Sequence, residues 1–384
     1  MNRRRFLKTL GGTGIVFAAA ASGLSQCDQM PEEAVQAWKG PNAELKDREW
    51  ILSHALLAPN PHNMQSWIAD LREDNVITLL ADNKRLLKDT DPYSRQITIG
   101  QGTFLELLSI AAKEKGYLPK IDLYPEGSPE ETVFEIGNWP IARITLVPSS
   151  AVQKDPLFQN IRDRRSNKEP YEAHALGPEH LKKLQSMEKF NDQTLGFATA
   201  QEEVSYFRNL AKDAMVTEIN TPRTYKESID RTRIGADEIL QHRDGIDLHG
   251  PFFWWLKTLG LMSAEKAMTP GTMAYQGGLD YALGWSQNTF SMGWLITENN
   301  SRVAQVNAGR TYVRLNLLAT RLGVSMHPVS QILQEYPEMK SLQDQFNRRL
   351  GLEGDQRVQM FFRIGYQKRP APSPRRNLAD IVRA

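Results

Sequence analysis

Apolar residues first recur at helical spacing over residues 43–57, where Trp50, Ile51, His54 and Leu57 share a face and Pro59 ends the pattern. Two strand-like runs follow, 67–71 and 76–81, around the charged turn Arg72-Glu73-Asp74-Asn75. Residues 98–115 predict a helix with Phe104, Leu105, Leu108, Ala111 and Ala112 on one side and Gly116 as its cap. The β-branched runs 121–124, 133–136 and 141–147 predict short strands. After a boundary at 148–155, helices are predicted at 178–189 and 202–220. A long stretch from 221 to 284, rich in Gly, Met and aromatics, reads as irregular. Residues 290–296 read as a strand, 302–322 as a helix apolar on most sides and capped by Gly323, and 358–364 as a closing strand before a Pro- and Arg-rich tail. In both parts a long apolar helix ends in Gly and a strand-like segment follows, which suggests internal duplication. The alternation of helices with short strands predicts an α+β fold, with antiparallel sheets covered by helices.

The first 27 residues stand apart. Arg3-Arg4-Arg5-Phe6-Leu7-Lys8 precedes an apolar run at 14–24 that is short and rich in Gly and Ala, where a span needs roughly 20 mainly apolar residues. The segment resembles a twin-arginine export signal, with Arg3 and Arg4 as the pair. That implies the Tat export machinery as partner, folding before export, a periplasmic or cell-envelope location and no stable membrane span. Cys27, the sole cysteine, leaves no intramolecular disulfide and no thiolate zinc site. It sits where a lipoprotein cysteine would sit, but Gln26 stands where lipid-attachment signals want a small residue, which argues against acylation. Residues 28–45 read as a tether. The net charge of +2 gives no basic field for nucleic acid.

Three local patterns carry candidate chemistry. The loop from Pro59 and Asn60 through Asn63 and Gln65 to Trp67 joins a helix to a strand; its amides suit a polyol chain or a heterocycle edge, or else simply close a turn. Arg164-Arg165-Ser166-Asn167-Lys168 offers guanidinium forks and a hydroxyl suited to phosphate, or a solvated charged surface. The segment from Gly323 to Gln331 presents backbone N–H groups and Ser330 to a ligand edge; His327 within it also reads as a core histidine.

Together these patterns resemble the nitroreductase-like flavoproteins, and among them the Acg-type branch. The resemblance runs from about Trp50 to the end, through the 59–67 loop, the 164–168 cluster, the block from Ala308-Gly309-Arg310 to Gln331, and the ending from Ile364-Gly365-Tyr366 to Arg376. It implies a nitroreductase-like pseudo-dimer of two halves, 46–150 and 151–384, the second carrying a lid-like insertion at about 221–284. The molecule is then a monomer or a homodimer. It implies FMN as cofactor, one per chain, because the first half lacks its own Arg-x-Ser cluster near Asp47-Arg48. Carried across, Arg164, Arg165 and Ser166 hold the phosphate and Lys168 approaches the pyrimidine end. Asn63 and Gln65, beside Pro59 and Asn60, meet the ribityl chain or ring. Pro328, Val329, Ser330 and Gln331 line the ring, and Arg375 or Arg376 reaches back to the phosphate. Ser66 and Asn60 depart from the family's loop, which usually has Pro and Ser there.

The implied activity is two-electron reduction of a small-molecule acceptor, a nitroaromatic or quinone-like compound, through bound flavin, with no side-chain nucleophile required. Export separates such an enzyme from nicotinamide cofactors and leaves its electron donor undefined. The alternative is a protein that binds or sequesters FMN without catalysis, with Phe252, Phe253, Trp254 and Trp255 stacking over the ring. The same aromatics also read as plain core.

Overall fold

The computed structural model describes residues 28–384; the leader and Cys27 lie outside them. Helix α1 (Asp47–Ala55), strands β1 (Trp67–Asp70) and β2 (Val76–Ala81), helix α2 (Arg95–Glu114), and strands β3 (Tyr117–Leu123) and β4 (Ala142–Pro148) build the first part. Helix α3 (Pro178–Gln185), strand β5 (Gln193–Ala198) and helix α4 (Gln201–Asn220) open the second. An insertion follows: α5 (Pro222–Asp230), β6 (Thr232–Ile234), α6 (Ala236–His242), β7 (Ile246–Leu248), α7 (Pro251–Thr258), α8 (Ala264–Met268) and α9 (Met273–Leu283). Strand β8 (Met292–Thr297), helix α10 (Arg302–Arg321), β9 (Ser325–Pro328), α11 (Lys340–Leu350), β10 (Arg357–Gly365) and β11 (Val382–Arg383) complete the chain.

The fold is α+β. One sheet runs β11-β1-β2-β4-β3, antiparallel except for the parallel β1–β11 pair, in which Ala69 faces Val382. The other runs β5-β8-β10-β9, antiparallel throughout. The tail therefore crosses back to extend the sheet of the first part. Between the sheets lie α2 and α10, each 20 residues long and buried on most sides. A helix buried on most sides needs neighbours on most sides, and each of these two packs on the other and on a sheet. Their first residues are both arginines that reach across the molecule. Buried Arg95 donates to Glu335 Oε2 (2.9 Å), Gln359 Oε1 (3.0 Å) and Val358 O (3.1 Å). Buried Arg302 donates to Tyr93 O (2.9 Å) and Val133 O (2.8 Å). Glu106 of α2 accepts from Arg310 and Arg314 of α10, both at 2.9 Å, so its buried charge is paired twice.

Several expectations are corrected. Residues 133–136 form no strand; their chain bends into a short turn, and Val133 gives its carbonyl to Arg302 instead of to a sheet. The 221–284 stretch is not irregular but holds five helices and a two-stranded parallel ribbon. The segment read as a tether is packed down: Trp38 is buried and its indole donates to Ser373 O at 2.8 Å. An isolated large aromatic in a polar stretch gains more from burial than the chain loses in ordering around it.

Candidate functional site

The 59–67 loop is held in an unusual backbone path. His62, Asn63 and Gln65 have φ of +45°, +53° and +51°, a region that costs a non-glycine residue on the order of 1 kcal/mol. Hydrogen bonds hold it there. Asn60 Oδ1 accepts from Gln65 N at 2.7 Å and Asn63 O accepts from Gly245 N at 3.2 Å. Fully buried Gln65 donates to Arg243 O at 2.8 Å and accepts from Arg376 N at 2.8 Å. Gln65 thus ties loop, insertion and tail together.

Next to this loop three guanidinium groups gather round one indole. The Arg165 guanidinium carbon lies 3.9 Å from the Trp38 ring centroid, that of Arg375 4.8 Å and that of Arg164 5.8 Å. Arg164 donates to Asn316 Oδ1 (3.0 Å) and Leu57 O (2.8 Å); Arg375 donates to Asn63 Oδ1 and Ser373 Oγ, both 2.8 Å. All these partners are neutral. Among the described residues none of the three forms a salt bridge, although Asp163 and Asp247 act on Arg165 and Arg375 from further off, and the Nε of each is buried without a partner. Burial, then the charge of Arg165, pulls Arg164 down to about 9; burial, then Arg369, pulls Arg165 down to about 10. Arg375 falls well below the usual guanidinium range through burial and its two cationic neighbours. Like charges brought together out of water are costly unless an anion joins them.

The third side comes from the end of β9 and the turn after it. Ser166 forms a bridge to Met326, and Asn167 N donates to Met326 O at 2.9 Å, which fixes the basic segment along β9. Exposed Lys168 has no ion-pair partner among the described residues. His327 Nδ1 accepts from Arg363 Nε at 3.0 Å; burial, with Arg363 and Lys168 nearby, holds its imidazole neutral.

These walls line an open cavity of about 940 Å³. Pro59, Asn60, Asn63, Arg164, Arg165, Ser166, Lys168, Pro328, Val329, Ser330, Gln331 and Arg375 all line it. Gln65 and Arg376 do not: they bind one another behind the wall, and Arg376 also reaches Asp380 O at 2.6 Å. The insertion supplies much of the remaining lining. Of its aromatic quartet only Phe253 takes part, so Phe252, Trp254 and Trp255 are not the expected cover.

Sequence reasoning missed Trp38, His62, Glu218 and Tyr312 in this lining. Tyr312 Oη and His62 Nδ1 are buried without partners. His62 Nε2 lies 3.3 Å from Ser228 Oγ, which donates to Glu218 Oε1 at 2.8 Å. Burial, with Lys168 and Arg231 nearby, pushes His62 down to about 4, and burial pushes Glu218 up. His62 could have been suspected from its place between Asn60 and Asn63; Glu218 carries no local signal.

No protein-family model matches the chain, and no curated protein matches it either. Among solved structures it is similar to a nitroreductase-like family protein from Bacillus cereus (13% identity, 60% of this chain and 96% of that one, TM-score 0.32). It is also similar to an FMN- and NADPH-dependent nitroreductase from Sphigopyxis sp. strain HMH (13%, 60% and 99%, TM-score 0.36). A third is an iodotyrosine deiodinase solved with FMN and 3-iodo-L-tyrosine (12%, 58% and 95%, TM-score 0.32). At TM-scores this low the likenesses carry no inference for this chain, and what those proteins bind is said of them alone.

Proposed function

We propose that the cavity is an FMN site and that the chain is an exported FMN-dependent oxidoreductase of the nitroreductase class. One observation carries this reading: Arg164, Arg165 and Arg375 converge on Trp38 at the cavity wall with buried, unpartnered Nε atoms and, among the described residues, no salt bridge to a carboxylate. Such a cluster calls for a multiply charged anion, and a phosphate monoester offers the matching oxygens. The volume of about 940 Å³ lies in the range of roughly 300–1,000 Å³ for enclosed ligand sites, so a three-ring cofactor and a small second molecule fit.

Arg164, Arg165, Arg375 and Ser166 would hold the phosphate. Asn60 and Asn63 would meet the ribityl chain, Lys168 the pyrimidine end, and Pro328 to Gln331 the ring. Gln65 and Arg376 are braces behind the wall. The flavin, when bound, supplies the two-electron chemistry for a nitroaromatic or quinone-like acceptor. The protein's part is to bind and orient both molecules and to exclude water. Neutral His62 and His327 would add no charge of their own, and Lys168 would bring a cation. The halves 46–150 and 151–384 form a pseudo-dimer in this reading. The arginines that open α2 and α10, and their equal length, support it. The leader's arginine pair supports export, with another exported protein or a quinol as donor.

A second reading, FMN held without turnover, is favoured by the large share of the cavity lining that the insertion supplies. Anaerobic titration of the flavin-loaded chain separates the two. Under the first reading a quinol or NAD(P)H bleaches the flavin absorbance; under the second only dithionite does.

A further inference from the structure

A quinone-like acceptor becomes a hydroquinone by gaining two electrons and two protons. Hydride transfer accounts for both electrons and one proton, and an acid held in the cavity wall delivers the second faster than solvent does. The carboxyls that line the cavity differ in what faces them. Glu238 is paired with Lys257, Asp247 lies 3.5 Å from His249, and Glu169 is exposed. Glu218 is 4% exposed and has no ion-pair partner among the described residues.

A corner in the chain places it. Pro222 opens α5 directly after α4, and Thr224 Oγ1 donates back to Glu218 O at 2.7 Å. The corner lays Ser228 of α5 beside Glu218 of α4. Glu218 Oε1 accepts from Ser228 Oγ at 2.8 Å, and Oε2 accepts from Gln334 Nε2 at 2.9 Å. Ser228 Oγ lies 3.3 Å from His62 Nε2. The hydroxyl has a single hydrogen, so it donates to one neighbour at a time. With Glu218 ionised, it donates to the carboxylate and accepts from the imidazole Nε2–H. With Glu218 protonated, the carboxyl donates to Ser228 and the hydroxyl donates to Nε2, which puts the imidazole hydrogen on Nδ1. That Nδ1 is buried without a partner, and His62 lines the cavity. An acceptor oxygen is the partner it lacks. Both states use the same atom positions. Burial raises Glu218 above its ordinary value, and Glu227 adds to this, while the donors Ser228 and Gln334 oppose it. The other groups that act on the chain of contacts are the Tyr336 phenol at Glu218, and Lys168 and Arg231 at His62.

On the reading of the cavity as a flavin site, we propose that Glu218, Ser228 and His62 form a relay that delivers the second proton to the acceptor. The O–H bond of Glu218 breaks, each hydrogen in the chain moves on by one bond, and an O–H bond forms on the acceptor. Glu218 regains a proton from solvent after the product leaves. To test this, the flavin-loaded full chain is reduced with dithionite and mixed with benzoquinone or with ferricyanide. Glu218→Gln keeps its contacts once the Gln334 amide turns over, since Gln334 Oε1 is unpartnered. It is expected to slow oxidation by benzoquinone about 100-fold. Ferricyanide takes electrons and no proton, so its rate is expected to hold. Ser228→Ala leaves the acid and cuts the link, and is expected to slow benzoquinone to the same degree. Infrared spectra of the flavin-free chain give a readout apart from turnover. A carboxylic-acid C=O band is expected to persist above the pH at which exposed carboxyls ionise, and to be missing from Glu218→Gln. Benzoquinone oxidation at the parent's rate in either variant, a slowing shared by ferricyanide, or an infrared spectrum unchanged by Glu218→Gln would overturn the relay and leave the flavin reading standing. A chain that takes up no FMN would overturn both.

Discussion

Arg165 stacks on Trp38, its guanidinium carbon 3.9 Å from the ring centroid, although 127 residues of chain separate them. The stack holds a cation at the cavity wall without neutralising it, which leaves its charge for a ligand. Arg165→Gln is therefore expected to lower FMN affinity about 100-fold, through the loss of charge-assisted hydrogen bonds. The thermal midpoint of the flavin-free chain should move little, because relief of repulsion from Arg164 and Arg375 offsets the lost stacking. Fluorescence titration and a melting curve on the same preparation check both halves.

Gly102 of α2 and Gly309 of α10 are each the eighth residue of their helix and meet back to back. A Cβ on Gly102 would lie 1.9 Å from Val306 O, and one on Gly309 1.9 Å from Ile99 O. Neither obstacle is a side chain that can turn away. Gly102→Ala or Gly309→Ala should each cost roughly 3 kcal/mol as the helices are forced apart. The urea midpoint measures it, and two variants as stable as the parent would refute the close contact.

Stability should fall with acid through His62. Folded, its imidazole stays neutral down to about 4; unfolded, it takes a proton near the ordinary value of 6.5. Between these values the unfolded chain binds more protons, so stability present above pH 6.5 is lost as pH falls towards 4. His62 accounts for on the order of 2 kcal/mol of that loss. His62→Gln should flatten the decline in urea titrations between pH 7 and 4.5. Some slope remains, since His327 is shifted in the same direction.

Gln65→Leu tests the brace behind the wall. It strands Arg376 N–H and Arg243 C=O in a buried place, at a cost of about 2 kcal/mol. Because Arg243 belongs to the insertion, faster amide exchange over 232–248 should accompany the loss.

The long helices were legible in the sequence because each carries apolar residues on most of its sides and is followed by glycine; both lie within a few residues of their expected bounds. The insertion was not, since its helices of 5 to 11 residues are too short to show a period. Strand β11 has two residues and exists only because β1 offers an open edge. At the cavity, the basic cluster and both loops could be named from residue type alone. Arg375 could be separated from Arg376 only in space, where one faces Trp38 and the other turns towards Gln65. Trp38 left a faint signal, a lone indole among polar residues, that composition had hidden.

The most direct measurement is the visible absorption spectrum of the purified chain, with the chromophore released by heat identified by mass. The account predicts flavin bands, close to one FMN per chain, and their absence from an Arg164→Glu/Arg165→Glu variant that still melts cooperatively. A colourless protein that takes up no added FMN would contradict it, as would full flavin content in that variant.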